Sequence, residues 1–363
     1  MAKDKQEKEK EQEQPSKNIS FTEKVDALIQ KEFGKNILID VKSFLERKRI
    51  IVPVSPAFDL KLGGGIPEGS WVTLYGPEKI GKTTLALHIA KKCQDLGKFI
   101  YYGDVEGRIK PMNLNGIKGL NKDKFKLIQS SQENILSAQQ YLNLFEHIIR
   151  NHPGCVLIID SSAALCHEKE MTEGIGTFTR GGGAALLAQF CRQMSNVVPI
   201  QNTIIINITQ LQANTSGYGS PIQEKGGYAI KYQVDVKLRA KSKEFWKEGD
   251  KVVGQKVTWV IECTALGGIP TQESESYLRY GYGIDEVSEL IQLASDFGLI
   301  SKGGAWMYLD FMKNHLSEIN VKNWEDGEKI CKAHGEAKLL AMINDDTQPF
   351  RKILEKEIKE FTI

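Results

Sequence analysis

Four short runs dominate the hydrophobic pattern of this chain: "WVTLYG", "FIYYGD", "CVLIID" and "TIIINIT", each apolar at nearly every position. A strand that is apolar on both faces belongs inside a sheet covered on both sides, which is the habit of parallel sheets. Between these runs lie "TTLALHIAKKCQDLG", "ENILSAQQYLNLFEHIIR" and "GAALLAQFCRQMSNVV", whose apolar residues recur at helical spacing. The alternation predicts an α/β core over residues 51–284, a central, mostly parallel sheet with helices on both faces. Beyond it, "DEVSELIQLASDFGLI", "GGAWMYL", "EKICKAHGEAKLLAMIN" and "PFRKILEKEIKEF" predict a small, mainly helical α+β C-terminal domain over residues 285–363. Ahead of the core, residues 18–50 hold a short amphipathic helix and a linker. Ser20 serves as the helix cap, Val25, Leu28, Ile29 and Phe33 share one face, and Gly34 ends it. Residues 1–17 mix Lys, Glu and Gln without any period and are expected to be a disordered charged tail.

Composition narrows this picture only a little. With 41% apolar and 26% charged residues over 363 positions, the chain reads as an ordinary globular protein. No apolar run is long enough to span a bilayer, and "MAKDKQEKEKEQEQ" is too charged for a signal peptide, so a cytoplasmic location without a membrane is expected. The six cysteines are scattered, without the spacing of a zinc site or a disulfide framework. A net charge of +2 does not announce a polyanion partner, which would need a local patch.

Candidate chemistry centres on "GPEKIGKT", residues 76–83, which follows an apolar strand and opens a helix as a phosphate-binding loop must. Gly76 and Gly81 let the backbone wrap phosphates with its N–H groups, and Pro77, Glu78, Lys79 and Ile80 form the crest between them. Lys82 brings positive charge to the β- and γ-phosphates, Thr83 offers a hydroxyl to Mg²⁺, and Thr84 continues the helix start. Asp160, closing "CVLIID", has the position of the carboxylate that holds the Mg²⁺ shell through water. For activation of water the candidates are Glu106 and its rival Asp104, both in "YYGDVEGR". The run "LNKDKF" places Lys124 where a guanine-specific protein needs Asp, so ATP is the expected nucleotide.

One stretch fits none of this at first sight: "QLQANTSGYGSPIQEKGG", residues 210–227, interrupts two core strands with Gly, Ser, Asn and Gln. Structureless segments of that length inside a compact domain usually have a function.

Taken in order, "IQKEFGKNIL", "FDLKLGGGIPEGSWVTLYGPEKIGKTTLALHIA", "DVEGRIKP", "LIIDSSAAL", "NITQ", "GGYAIKYQVDVKLR", "RYGYGID" and "GGAWMYL" resemble the bacterial and phage RecA recombinases, from about residue 20 to the end. The resemblance implies a RecA-like P-loop ATPase core and a protein that polymerises into a helical filament on single-stranded DNA. Such a filament pairs the strand with a homologous duplex and hydrolyses ATP between subunits. Glu106 then matches the water-activating glutamate, Asp160 the Walker B aspartate, and Gln210 the glutamine that senses the γ-phosphate and reports it to a DNA loop. The first DNA loop would be residues 171–183, with Ile175 as a wedge, Arg180 as a phosphate contact, and Gly176 and Gly181 beside them. The second would be residues 210–227, with Gly217, Gly219, Gly226 and Gly227 freeing N–H groups, Tyr218 against a base, and Lys225 near its end. The helix within 18–50 becomes a polymerisation element. Lys302, Lys313, Lys322, Lys332 and Lys338 become candidate duplex contacts, and single-strand-binding and loader proteins become expected partners.

The chain also departs from the family pattern. Thr264 and Leu266 stand where many bacterial members carry two lysines that reach the neighbouring subunit's phosphates, and Asn113 replaces the aromatic residue that stacks on adenine. Gln212 and Asn214 occupy places where cations often sit, and "KEFTI" closes the chain without the acidic tail of bacterial members. These differences mark a divergent or phage-encoded member. They leave two alternatives: a ring helicase built on the same fold, and an ATP-dependent DNA-binding switch that does not recombine.

Overall fold

The computed structural model describes residues 21–35, 37–173, 182–213, 222–224 and 230–361. Two compact units are separated at Arg49/Ile50. In the first, helix α1 (Phe21–Phe33) is followed by Gly34, whose φ of 101° is open to glycine and costly for other residues. The expected apolar residues fall on this helix, with Leu28 66% and Phe33 64% exposed and Val25 and Ile29 half-buried. A single further turn, α2 (Val41–Leu45), is capped by the Asp40 carboxylate, which accepts from Ser43 N at 3.2 Å.

The second unit opens with β1 (Ile51–Val52), α3 (Pro56–Leu62), β2 (Ile66–Pro67) and β3 (Trp71–Gly76). It continues through α4 (Lys82–Asp95), β4 (Ile100–Asp104), α5 (Pro111–Asn115), β5 (Phe125–Ile128), α6 (Ala138–Asn151) and β6 (Val156–Asp160). Then come α7 (Glu168–Thr172), α8 (Gly182–Met194), α9 (Val197–Ile200), β7 (Ile204–Ala213), β8 (Ile222–Glu224), β9 (Val236–Glu248), β10 (Lys251–Cys263), β11 (Gln272–Arg279) and β12 (Gly283–Ile284). Among the described residues, nine of these strands form one sheet in the order β12-β11-β10-β9-β3-β7-β6-β4-β5, with β8 added along β7. Pairing is parallel from β9 through β3, β7, β6 and β4 to β5 and antiparallel from β9 to β12.

The four apolar runs are the four central parallel strands, and their side chains alternate between two cores. Val72, Leu74, Val156, Ile158, Ile204 and Ile206 pack on one face with Leu85 and Ile89 of α4. Trp71, Leu157, Ile159 and Ile205 pack on the other with Tyr141 and Phe145 of α6 and Leu187 and Phe190 of α8. The fold is thus the α/β sandwich the pattern predicts. Helix α6 starts later than its apolar run, because Ser137 Oγ accepts from Gln140 N at 3.3 Å while Gln140 Oε1 accepts from Ser137 N at 2.8 Å, a reciprocal cap that sets the first turn.

A third core belongs to the C-terminal region, where α10 (Glu286–Asp296), α12 (Glu336–Asn344) and α13 (Phe350–Glu360) enclose Leu290, Leu339 and Leu354. The run "GGAWMYL" forms a hairpin, β13 (Ser301–Gly303) with β14 (Trp306–Tyr308), and β15 (Lys332–His334) joins it after the short helix α11 (Trp324–Ile330).

Buried acids join α10 to the sheet region. Glu286 lies 3.4 Å from His88 and 2.6 Å from Lys92 on α4, and these partners outweigh burial to hold its carboxyl at about 2. Glu289 accepts from Ala57 N at the start of α3 at 3.3 Å, and burial pushes its carboxyl up to about 8; burial likewise raises Asp59 to about 7. A carboxyl raised in this way keeps its proton in the folded state where the unfolded chain has lost it. Its contribution is therefore complete below the ordinary value of 4.5 and is lost as pH rises through about 8. Glu289→Gln, which does not ionise, is expected to show a shallower fall in melting temperature than the wild type between about pH 5 and about pH 8, the interval between the ordinary and the raised value. Parallel melting curves across that range would contradict the assignment.

Candidate nucleotide-binding site

Strand register sets the site. Gly76 lies opposite Gln210, Leu74 opposite Ile208, Ile208 opposite Asp160 and Asp160 opposite Asp104. The carboxyl ends of β3, β6 and β4 therefore lie near one another beside Gln210 of β7, and their polar residues gather at one edge, where open α/β sheets bind ligands. That edge opens into a cleft of about 920 Å³ lined by Lys79, Lys82, Thr83, Glu106, Asp160 and Gln210, among others.

The loop from β3 to α4 is built on two tight approaches. A Cβ at Gly76 (φ 144°) would sit 2.7 Å from the carbonyl oxygen of Ala240, and one at Gly81 (φ 110°) 2.3 Å from Leu278 Cδ1. Between them Lys79 is left-handed at φ 56°. Lys82 is buried and its ammonium folds back on the loop, donating to the carbonyls of Gly76 at 2.9 Å and Pro77 at 2.6 Å. Burial lowers its pKa against the opposing pull of Asp160, Glu78 and Glu106.

One residue further along α4, Thr83 Oγ1 donates to Asp160 Oδ2 at 2.9 Å, and the Tyr102 hydroxyl donates to the same oxygen at 2.5 Å. Burial raises the Asp160 carboxyl despite those two bonds. Among the described residues no group of three or more His, Cys, Asp or Glu is arranged to hold a metal ion. A hydroxyl beside a single carboxylate is the donor set of a Mg²⁺ that takes its remaining ligands from phosphates and water, so these residues fit that ion.

The two acids of "YYGDVEGR" are placed differently. Asp104 is buried, and its carboxylate accepts from Arg108 N and Ile109 N at 3.0 Å each and from Gln129 Nε2 at 2.7 Å. Those bonds shape the following turn. Glu106 stands in the cleft, where its Oε1 accepts from Ser161 Oγ at 2.5 Å and Gln210 Nε2 at 3.0 Å, with Arg108 Nε 3.4 Å from Oε2. Asn113 uses its side chain on α5, accepting from Lys110 N at 2.9 Å, while its neighbour Met112 is 73% exposed on the cleft wall.

Three polar residues of this site escaped sequence reading. Tyr102 looks like core in an apolar strand, yet it touches Asp160. Ser161 looks like a turn residue, yet it touches Glu106. Gln129 holds Asp104 from the end of the neighbouring strand. Only the adjacency of Ser161 to Asp160 in "IIDSS" carried a local signal.

Elsewhere the expected positions are partly reached. Thr264 Oγ1 donates to Leu62 O at 2.9 Å, and the Leu266 carbonyl oxygen would lie 2.8 Å from a Cβ on Gly63, so both residues pack against the end of α3. Strand β7 does not stop at Gln210 but runs to Ala213, and β8 returns antiparallel with Leu211 opposite Glu224 and Ala213 opposite Ile222. The expected loop over residues 210–227 is therefore rooted in a two-stranded ladder, because backbone pairing continues past the apolar run. The DNA-contact candidates Ile175, Gly176, Arg180, Gly181, Gly217, Tyr218, Gly219, Lys225, Gly226 and Gly227 lie outside the described residues.

The family model described as the RecA N-terminal domain matches residues 21–285. Protein RecA of Ruminococcus albus is 32% identical over 301 residues, covering 82% of this chain and 74% of that protein. Protein RecA of Nitratidesulfovibrio vulgaris is 29% identical over 319 residues, 86% of this chain and 87% of its own. Protein RecA of Thermotoga neapolitana is 28% identical over 345 residues, 94% and 92% of the two chains. With its phosphate loop, its strand-end acids and these matches in one continuous span, the chain belongs to the RecA family.

Proposed function

We propose that this protein is an ATP-dependent recombinase of the cytoplasm, which assembles as a helical filament on single-stranded DNA and exchanges strands with a homologous duplex. The observation that carries the reading is the placement of Gln210. Its amide reaches Glu106 in the nucleotide cleft, and its own strand leads directly into the ladder at the root of residues 214–221. A bound γ-phosphate competing for that amide would alter the root of the segment expected to touch DNA.

In this reading residues 76–84 cradle the phosphates of ATP, with Lys82 leaving the loop carbonyls for the β- and γ-phosphates. Thr83 and Asp160 are the residues that would hold Mg²⁺ and its water shell, and the ion would supply positive charge against the phosphates. Glu106 receives the proton of the attacking water, and Ser161 and Gln210 hold its carboxylate in place. Asp104 is assigned the turn instead, since three donors already occupy its carboxylate. Adjacent subunits, single-stranded DNA, the duplex, and single-strand-binding and loader proteins are the proposed partners.

ATP hydrolysis measured with and without single-stranded DNA tests the link between cleft and loop. The expected result is strong stimulation by DNA in the wild type and its loss in Lys82→Ala; DNA-stimulated turnover by that variant would remove Lys82 from the site. Glu106→Gln is expected to bind ATP and assemble on DNA while hydrolysis falls by about a hundredfold or more. Normal turnover would exclude Glu106 as the general base. Electron microscopy with single-stranded DNA and a slowly hydrolysed ATP analogue should show helical filaments, whereas closed rings would favour a helicase and sink the recombinase reading.

A further inference from the structure

Two side chains from the antiparallel half of the sheet touch the crest of the phosphate loop. Lys243 Nζ, on β9, donates to the carbonyl oxygen of Lys79 at 2.7 Å. Gln255 Nε2, on β10, donates to the carbonyl oxygen of Ile80 at 3.2 Å. These contacts join residues 164 and 175 positions apart in the chain. Neither residue belongs to the loop motif, and neither lines the cleft.

The geometry of the peptide unit gives the contacts a consequence. In a planar trans peptide the C=O of one residue and the N–H of the next point in opposite directions. A donor that holds the Lys79 carbonyl toward β9 therefore turns the Ile80 N–H the other way, and one that holds the Ile80 carbonyl toward β10 does the same for the Gly81 N–H. Both N–H groups belong to the crest whose donors face the phosphates. Gly81 sits at positive φ, a region glycine enters as readily as its mirror, so contacts from outside the loop help to hold the peptide planes around it.

The seat of the loop supports the same conclusion. Gln255 is 8% exposed and lies opposite Leu278 in the β10–β11 ladder. A Cβ on Gly81 would come within 3.3 Å of Gln255 Nε2 and within 2.3 Å of Leu278 Cδ1, so the crest rests on this pair. Ile80 is itself buried, which leaves its carbonyl dependent on a protein donor. Lys243 is exposed and has no packing reason to lie along the loop.

We propose that Lys243 and Gln255 are positioning residues for nucleotide binding: they fix the peptide planes of the phosphate loop so that the Ile80 and Gly81 N–H groups face the phosphates before nucleotide arrives. The inference rests on the reading of residues 76–83 as an ATP site. It makes the β9–β10 hairpin a working part of that site.

The test is a titration of the full-length protein with a fluorescent ADP analogue, paired with the KM and kcat of ATP hydrolysis on single-stranded DNA. Lys243→Met and Gln255→Met should each weaken binding by about three- to tenfold, the size of one hydrogen bond, and raise KM while kcat at saturating ATP is retained. Lys243→Arg, which keeps a donor, should restore affinity; a merely structural role would not separate Arg from Met. Because Lys243 is exposed, its variants keep the test decisive even if Gln255→Met folds poorly. Wild-type affinity in Lys243→Met would overturn the proposal, as would a fall in kcat without a change in KM. If the wild type binds no nucleotide, or Lys82→Ala binds as the wild type does, the site reading itself fails, and this inference fails with it.

Discussion

Parallel pairing of β3 with β7, β7 with β6, and β6 with β4 brings the ends of β3, β6 and β4 to one edge of the sheet beside Gln210 of β7, and the candidate site depends on that register. Gly76, Gln210, Asp160 and Asp104 come from widely separated parts of the chain. A shift of one residue in any of the three pairings would turn the end residues to the opposite face of the sheet. The register is secured by the alternating apolar side chains of the same strands, divided between two cores. Burial of Val72, Ile158 and Ile206 on one side and Leu157, Ile159 and Ile205 on the other opposes any slip by a single residue. Packing in the middle of the sheet thus sets distances at its edge.

Around this edge, hydrogen bonds assign similar residues to different tasks. Asp104 and Glu106 are both acids of one short turn, yet Asp104 has three donors within 3.0 Å and is buried, while Glu106 faces the cleft with Ser161 and Gln210 on one oxygen. Glu262 shows the same logic further out on the sheet. Burial alone would raise its carboxyl, but the donors of Tyr75, Lys237 and Arg239 more than offset that and leave it lowered. It stands on β10 close to Thr264. Lys237 and Arg239 on β9 are both engaged with Glu262.

Helix α4 links the site to the C-terminal region. Its first turn holds Lys82 and Thr83, and its later turns hold His88 and Lys92 against Glu286 of α10, which Arg351 of α13 also approaches at 3.6 Å. A helix about 21 Å long at ~1.5 Å per residue therefore has one end at the candidate phosphate loop and its later turns against α10 of the C-terminal region. Glu289 is buried nearby and Asp59 half-buried, and burial raises the carboxyls of both.

Much of the molecule was legible in the residues alone. Period-2 and near-continuous apolar runs specified the parallel strands, because burial on both faces permits few other uses of such segments. The phosphate loop was legible because its glycines, lysine and threonine act within eight consecutive residues. The covered two-layer core and the family followed from their order. What only the tertiary structure decided are contacts made across long sequence separations: Tyr102 on Asp160, Ser161 on Glu106, and Lys243 and Gln255 on the carbonyls of Lys79 and Ile80. The same holds for the different hydrogen-bond partners of Asp104 and Glu106, and for the continuation of β7 beyond Gln210. A hydrogen bond needs only a donor and an acceptor within about 3 Å. Local pattern says which groups a residue carries, but the packing of distant strands determines which of them meet.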